Sequence, residues 1–214
     1  MTLTIHGSPY STCCQRIFTV LAEKGVEANT RTLDFATGEH KHPDFLKLQP
    51  FGKVPVLEDD EFFIYESRAI TKYIAKKYAG QGTKLMPEEG DFKAYGLFEQ
   101  ACSVEQSYFD GPASGICWEK VFKPMKGLGN TDEELVNKHV AALDAAFAVY
   151  DVILGRQAYL AGDELTLADL SHLPYGKMVK DQGFEGIWTK YPNVDKWFAA
   201  LEKRESWVKA TGGK

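Results

Sequence analysis

Two hydrophobic periodicities divide the chain. Up to residue 80, short β-type runs alternate with helical patterns; beyond residue 90 only helical patterns remain. "LTIHG" (3–7) reads as a strand. "TCCQRIFTVLAEKG" (12–25) follows as a helix, with Ile17, Val20 and Leu21 on one face and Gly25 as its stop. "NTRTLDF" (29–35) predicts a second strand. "VPVLED" (54–59) and "EFFIYE" (61–66) flank an acidic turn and predict a hairpin. "SRAITKYIAKKY" (67–78) then predicts a helix capped by Ser67. The order β-α-β, β-β-α suits a small mixed sheet with helices against it, here assigned to residues 1–80.

Residues 81–90 collect Gly, Pro and charge and read as a linker. The remainder, 91–214, is expected to be an all-α domain, with helical patterns over 91–120, 131–154, 167–182 and 193–204. One helix start is specified in detail. In "DELTLADLSHL", Thr166 and Asp169 form a capping box, and Leu165 and Leu170 are placed as a hydrophobic staple across it.

Charge changes the picture for ligands. The formal net charge of −5 falls wholly on residues 81–214, because residues 1–80 hold ten basic and ten acidic side chains. No basic stripe exists, so nucleic-acid binding is not expected. Four scattered cysteines, two of them adjacent, suggest reduced thiols and not a disulfide framework. The N-terminus lacks the pattern of a signal peptide and no run is long and apolar enough to span a membrane, so a cytoplasmic protein is expected.

The candidate chemistry lies in the first eighty residues. Ser11 enters the first helix, where unpaired N–H groups and the dipole favour negative charge. Its hydroxyl either caps its own helix or donates to an anion held there. His40 and Lys41, in "EHKH", make a poor metal site, with no third ligand nearby and no CxxC anywhere, but a reasonable cationic clamp for a carboxylate. Pro55 opens a strand, where a cis bond is open to it, and Val54 before it then turns its N–H and C=O outward to pair with an extended peptide. Glu66 and Ser67 at the next helix start suit an ammonium and a carboxylate. The ligand these features ask for has carboxylates at both ends, one ammonium, an extended peptide middle and an anionic sulfur or oxygen near Ser11. Glutathione has all of them, and no Gly-rich phosphate loop offers a nucleotide alternative.

With "GSPYSTCCQR", "EHKHPDFLKLQPFGKVPVLED", "YESRAITKYIAKKY" and "LTLADL" in view, the whole chain resembles a cytosolic glutathione transferase, nearest the phi class. The resemblance implies a thioredoxin-like α/β N-terminal domain, an all-helical C-terminal domain and a homodimer, with Phe51 as an apolar anchor. It implies Ser11 as the catalytic serine, a donor to the glutathione thiolate. His40, Lys41 and Lys53 would meet the glycine carboxylate, Val54 and Pro55 the cysteinyl backbone, and Glu66 and Ser67 the γ-glutamyl end. Tyr10, Phe35, Trp118 and Phe122 would wall the site for a small hydrophobic electrophile, with Glu119 beside them disfavouring anions. The fold also accommodates a glutathione-dependent peroxidase, a non-catalytic carrier, or a thiol transferase through Cys13 or Cys14. In "STCC" the first cysteine of a CxxC is a serine, which forms no mixed disulfide.

Overall fold

A computed structural model describes residues 3–213. The chain divides into two compact units: residues up to Met86 together with those from Arg204 onward, and Pro87–Lys203.

The first unit is built on four strands: β1 (Leu3–Gly7), β2 (Ala28–Thr32), β3 (Val56–Asp59) and β4 (Phe62–Tyr65). Their order is β2-β1-β3-β4. β1 pairs parallel with β2 through α1 (Thr12–Lys24), and antiparallel with β3; β3 and β4 form the expected hairpin. Alternation sorts the side chains. Val56 joins Leu33 and Phe45 in one apolar cluster, whereas Ile5, Gly7 and Leu57 turn to the opposite face. There α1 lies so close that a Cβ on Gly7 would sit 2.5 Å from the Cys14 sulfur. α1 stops as its sequence suggests, with Gly25 left-handed at φ 61°. α3 (Ser67–Lys77) packs beside it through Ile70 and Ile74.

Two elements escape the hydrophobic pattern. A 3₁₀ turn (Glu39–Lys41) and the six-residue α2 (Pro43–Leu48) fill the connection from β2 to β3. They are too short to show a period, but Pro43 at the first helical position after His42 is a legible start.

The second unit is helical: α4 (Phe92–Val104), α5 (Gly111–Cys117), α6 (Lys123–Met125), α7 (Glu133–Leu154), α8 (Leu167–Leu170), α9 (Leu173–Val179), α10 (Gly186–Thr189) and α11 (Pro192–Glu202). π-helical turns at Glu105–Asp110, Trp118–Phe122 and Lys180–Phe184 interrupt runs that the sequence pattern shows as continuous. The segment read as one helix over 167–182 breaks at Ser171–His172, ahead of Pro174. Phe109, Phe147, Tyr150, His172, Trp188 and Trp197 form its aromatic centre, with His172 and Phe109 rings 4.4 Å apart.

The chain ends differ from the expected division. Residues 81–86 belong to the first unit, because the Thr83 N–H donates to the Glu23 carbonyl (2.8 Å) and the buried Lys24 ammonium donates to the Thr83 carbonyl (2.9 Å). The last helix, α12 (Glu205–Thr211), also returns to the first unit and packs on α1, burying Trp207.

The capping box at α8 forms. The fully buried Asp169 carboxylate accepts from the N–H and hydroxyl of Thr166 (2.9 Å each), the Leu160 N–H (2.9 Å) and the Trp197 indole (3.1 Å). Removing it strands four buried donors, each costing roughly 1–3 kcal/mol before relaxation. Asp169→Ala is therefore expected to lower unfolding free energy in denaturant titration by about 3 kcal/mol or more, with Asp169→Asn intermediate.

Candidate functional site

Gly7 ends β1 and the chain turns through Ser8 into α1. The Ser11 N–H donates to the Ser8 carbonyl (3.0 Å), which holds Ser11 at the N-cap in extended backbone. Its Oγ accepts from the Cys14 N–H at 3.4 Å. That bond is long, and it uses only one acceptor position; the hydroxyl proton is left to donate outward from the helix end. The two sequence-based readings of Ser11, cap and anion donor, are thus compatible in one geometry.

The adjacent cysteines are unlike each other. Cys14 is fully buried against Gly7, and burial pushes its thiol up despite bonds with Ser8 and Ser11. Cys13 is half-buried, 3.9 Å from the Arg16 guanidinium. Neither residue is in a disulfide.

Arg16, which ends the motif "GSPYSTCCQR", has no role assigned to it from the sequence. Its guanidinium is buried, 1% exposed, and Nη1 donates to the Ser67 hydroxyl at 2.7 Å. One side chain of α1 thereby fixes the start of α3. This corrects the expected role of Ser67 as a helix cap: Ser67 is the first helical residue, and Glu66 holds the cap position with no side-chain bond. Glu66 is exposed and has φ 69°, a conformation that costs a non-glycine residue about 1–3 kcal/mol.

The bond between Val54 and Pro55 is cis. Val54 lies just before β3, half-buried against the Leu33–Phe45–Val56 cluster. Its N–H and C=O form no hydrogen bond among the described residues. The loop before it is held from within. The buried side chain of Gln49 accepts from the exposed Lys53's N–H (3.4 Å). The Lys41 ammonium donates to the carbonyls of Phe51 (3.1 Å) and Gly52 (2.7 Å). Lys41 is thus first a loop tether, with one N–H left for an outside acceptor. Gly52 has φ 59°, and a Cβ there would meet the Lys41 side chain at 2.8 Å. Gln49 was missed by sequence reasoning, because an isolated polar residue in a loop carries no periodic signal. His40 follows the left-handed Gly38 and meets Phe35 edge-on, ring centroids 5.1 Å apart.

Of the expected aromatic wall, Tyr10 and Phe35 stand exposed in the first unit. Trp118 and Phe122 occupy a π-helical turn of the second, Trp118 exposed beneath the Lys126 ammonium (5.3 Å) and Phe122 half-buried. Glu119 is not a wall residue. It is 3% exposed, accepts from Lys123 (2.7 Å) and from the Asp132 N–H (2.8 Å), and these bonds hold its carboxyl below the usual range. It closes the 123–132 loop onto the helix. No group of metal-ligating side chains occurs among the described residues.

Comparisons with known proteins bear on the family and the fold. Residues 1–76 match the model of the glutathione S-transferase N-terminal domain and residues 88–205 that of the C-terminal domain. "Glutathione S-transferase hmp2" of Hypomyces subiculosus is 47% identical, the alignment covering 99% of this chain and 98% of the relative. "Glutathione S-transferase PM239X14" of Arabidopsis thaliana is 49% identical over 94% of this chain and 91% of its own. The crystal structure of glutathione transferase F7 from Populus trichocarpa superposes with a TM-score of 0.94 at 32% identity, covering 99% of each chain. The thioredoxin-like sheet unit and the helical second unit are those of this fold, and the chain belongs to the glutathione S-transferase family of enzymes, nearest its phi class.

Proposed function

We propose that the chain conjugates glutathione to small hydrophobic electrophiles by holding the glutathione thiolate with the Ser11 hydroxyl. The observation that carries the reading is the Ser11 side chain at the N-cap of α1, accepting one weak bond and left with its proton to donate. The bond it accepts polarises the hydroxyl and makes it a better donor.

The magnitudes are sufficient. A free thiol titrates near about 8.5, and lowering that by about two units takes roughly 2.7 kcal/mol. A hydrogen bond to a charged group supplies about 1.5–3 kcal/mol. The helix end adds about 0.3–1 kcal/mol. The thiol proton leaves to solvent; no general base is needed, and Ser11 is not the nucleophile. The sulfur then forms its bond to the electrophilic carbon while the leaving group departs with the bonding pair.

The rest of the tripeptide follows the sequence assignment. Val54 and the cis Pro55 offer the unpaired N–H and C=O to the cysteinyl backbone. Ser67, oriented by Arg16, retains its own proton for the γ-glutamyl carboxylate, and the exposed Glu66 meets the ammonium. His40, Lys53 and the remaining N–H of Lys41 take the glycine carboxylate. In this reading Tyr10 and Phe35 contact the electrophile, and organic hydroperoxides serve as peroxidase substrates. A cytoplasmic homodimer is part of the same reading, with the exposed Phe51, edge-on to Tyr65, as an anchor. No helix among the described residues is long and apolar enough to cross a membrane.

Ser11→Ala is expected to lower kcat/KM for a generic aryl halide by about 10- to 150-fold, the equivalent of about 1.5–3 kcal/mol, while Ser11→Thr keeps most of it. An Ala variant within twofold of wild type reduces Ser11 to a helix cap. Arg16→Met is expected to raise KM for glutathione by about tenfold with a smaller change in kcat, the signature of lost substrate binding. Cys13→Ser with Cys14→Ser should leave conjugation intact; its loss would return the cysteines to the mechanism.

A further inference from the structure

The far end of α1 is organised around one carboxylate that the reaction does not use. Glu23, in the last turn, is 7% exposed. Its Oε1 accepts from Arg204 Nε (2.5 Å) and the Ser206 hydroxyl (2.5 Å). Its Oε2 accepts from Arg204 Nη2 (2.9 Å) and the Thr83 hydroxyl (2.5 Å). Burial alone would raise this carboxyl, but the four bonds outweigh it and hold it below the ordinary range.

The donors come from two segments distant in sequence. Thr83 lies just before the chain leaves the first unit, and Arg204 and Ser206 just after it returns. The main chain repeats the pattern. The Thr83 N–H donates to the Glu23 carbonyl (2.8 Å) and the Gln81 side chain to the Lys24 carbonyl (2.9 Å), which satisfies two of the acceptors that a helix end leaves open. Gly82 lies at φ 62°, where a Cβ would come within 2.3 Å of the Glu23 carbonyl. No other residue type lets the loop approach this closely. Residues 81–83 and 204–206 thus grip the C-terminal turn of α1 from two directions.

A helix of thirteen residues is about 20 Å long and rigid along its axis, so an axial shift at one end appears at the other. Ser11 is at that other end. Its donor bond to a sulfur anion depends steeply on distance and angle, and among the described residues Ser11 bonds only to the Ser8 carbonyl, the Cys14 N–H and the Gln15 N–H, the last two in α1 itself, so its height follows the helix.

We propose that Glu23 is a positioning residue for the reaction: by locking the C-terminal turn of α1 to residues 81–83 and 204–206, it sets the axial position of the helix and hence the reach of the Ser11 hydroxyl. This rests on the reading of Ser11 as the thiolate donor. It assigns a kinetic consequence to side chains far from the substrate and gives the C-terminal helix α12 a part in catalysis.

The test is the pH profile of kcat/KM for conjugation, measured on the full chain for wild type, Glu23→Gln, Ser206→Ala and Ser11→Ala, alongside thermal unfolding. Glu23→Gln keeps the shape but turns an N–H₂ toward at least one donor. Ser206→Ala removes a single bond, leaves the Arg204 pair, and serves where Glu23→Gln folds poorly. The expected result is a rise of the apparent thiol pKa by about 0.5–1 unit in the Glu23 or Ser206 variant. At pH below both values, kcat/KM should fall about three- to tenfold. KM for glutathione should stay within about twofold, since the carboxylate contacts lie elsewhere. A lowered melting temperature with an unmoved pH profile overturns the proposal and leaves Glu23 a purely structural clamp. An Ser11→Ala profile that coincides with wild type overturns the Ser11 reading itself, and this proposal falls with it.

Discussion

A buried guanidinium ties together the two helix starts, at Ser11 and at Ser67, on which the proposed glutathione site depends. Arg16 sits one turn inside α1, cannot lose its charge, and is almost wholly removed from water. It spends one N–H on the Ser67 hydroxyl across the gap to α3. Burying such a group is expensive unless its donors are matched, so the sequence on either side is constrained. α1 must present Arg16 inward, α3 must begin with a small hydroxyl residue, and Glu66 must take an unfavourable φ to bring that residue into place. Two helix N-termini, one headed by Ser11 and one by Ser67, are thereby fixed in a common frame. In the proposed reading that frame receives a ligand with an anion at two points.

The sheet supplies the third side. Val54, before the cis Pro55, has an N–H and C=O without a partner among the described residues at the edge of an apolar cluster, while Gln49 and Lys41 hold the loop ahead of it. The charges that look like ligand contacts in the sequence are thus partly structural. Lys41 tethers carbonyls before it reaches outward, and Glu119 closes a loop and does not line a wall. In each case the polar group satisfies backbone atoms that a loop leaves unpaired, and that demand takes precedence over any ligand.

Much of this was legible beforehand where local chemistry decides. Strand alternation, the Gly25 stop, the Thr166–Asp169 box and the serine at the mouth of α1 depend on residues within a few positions of each other. What stayed hidden depends on residues far apart. Ser67 reads as a cap until Arg16, 51 positions earlier, is seen to hold its hydroxyl. The last eleven residues read as part of the helical domain until Glu23, 181 positions before Arg204, draws them back to the first unit. The helix α2 was missed for a different reason: six residues are less than two turns, and no periodicity exists over that span.

The most direct test of the account is an ultraviolet titration of the glutathione thiol bound to the wild-type protein, which reads thiolate without turnover. The bound thiol is expected to titrate about two units below the free value of about 8.5, so that thiolate predominates at neutral pH. A bound thiol that titrates at the free value in a catalytically active enzyme would contradict it, and would show that the helix end and the Ser11 hydroxyl do not hold the anion.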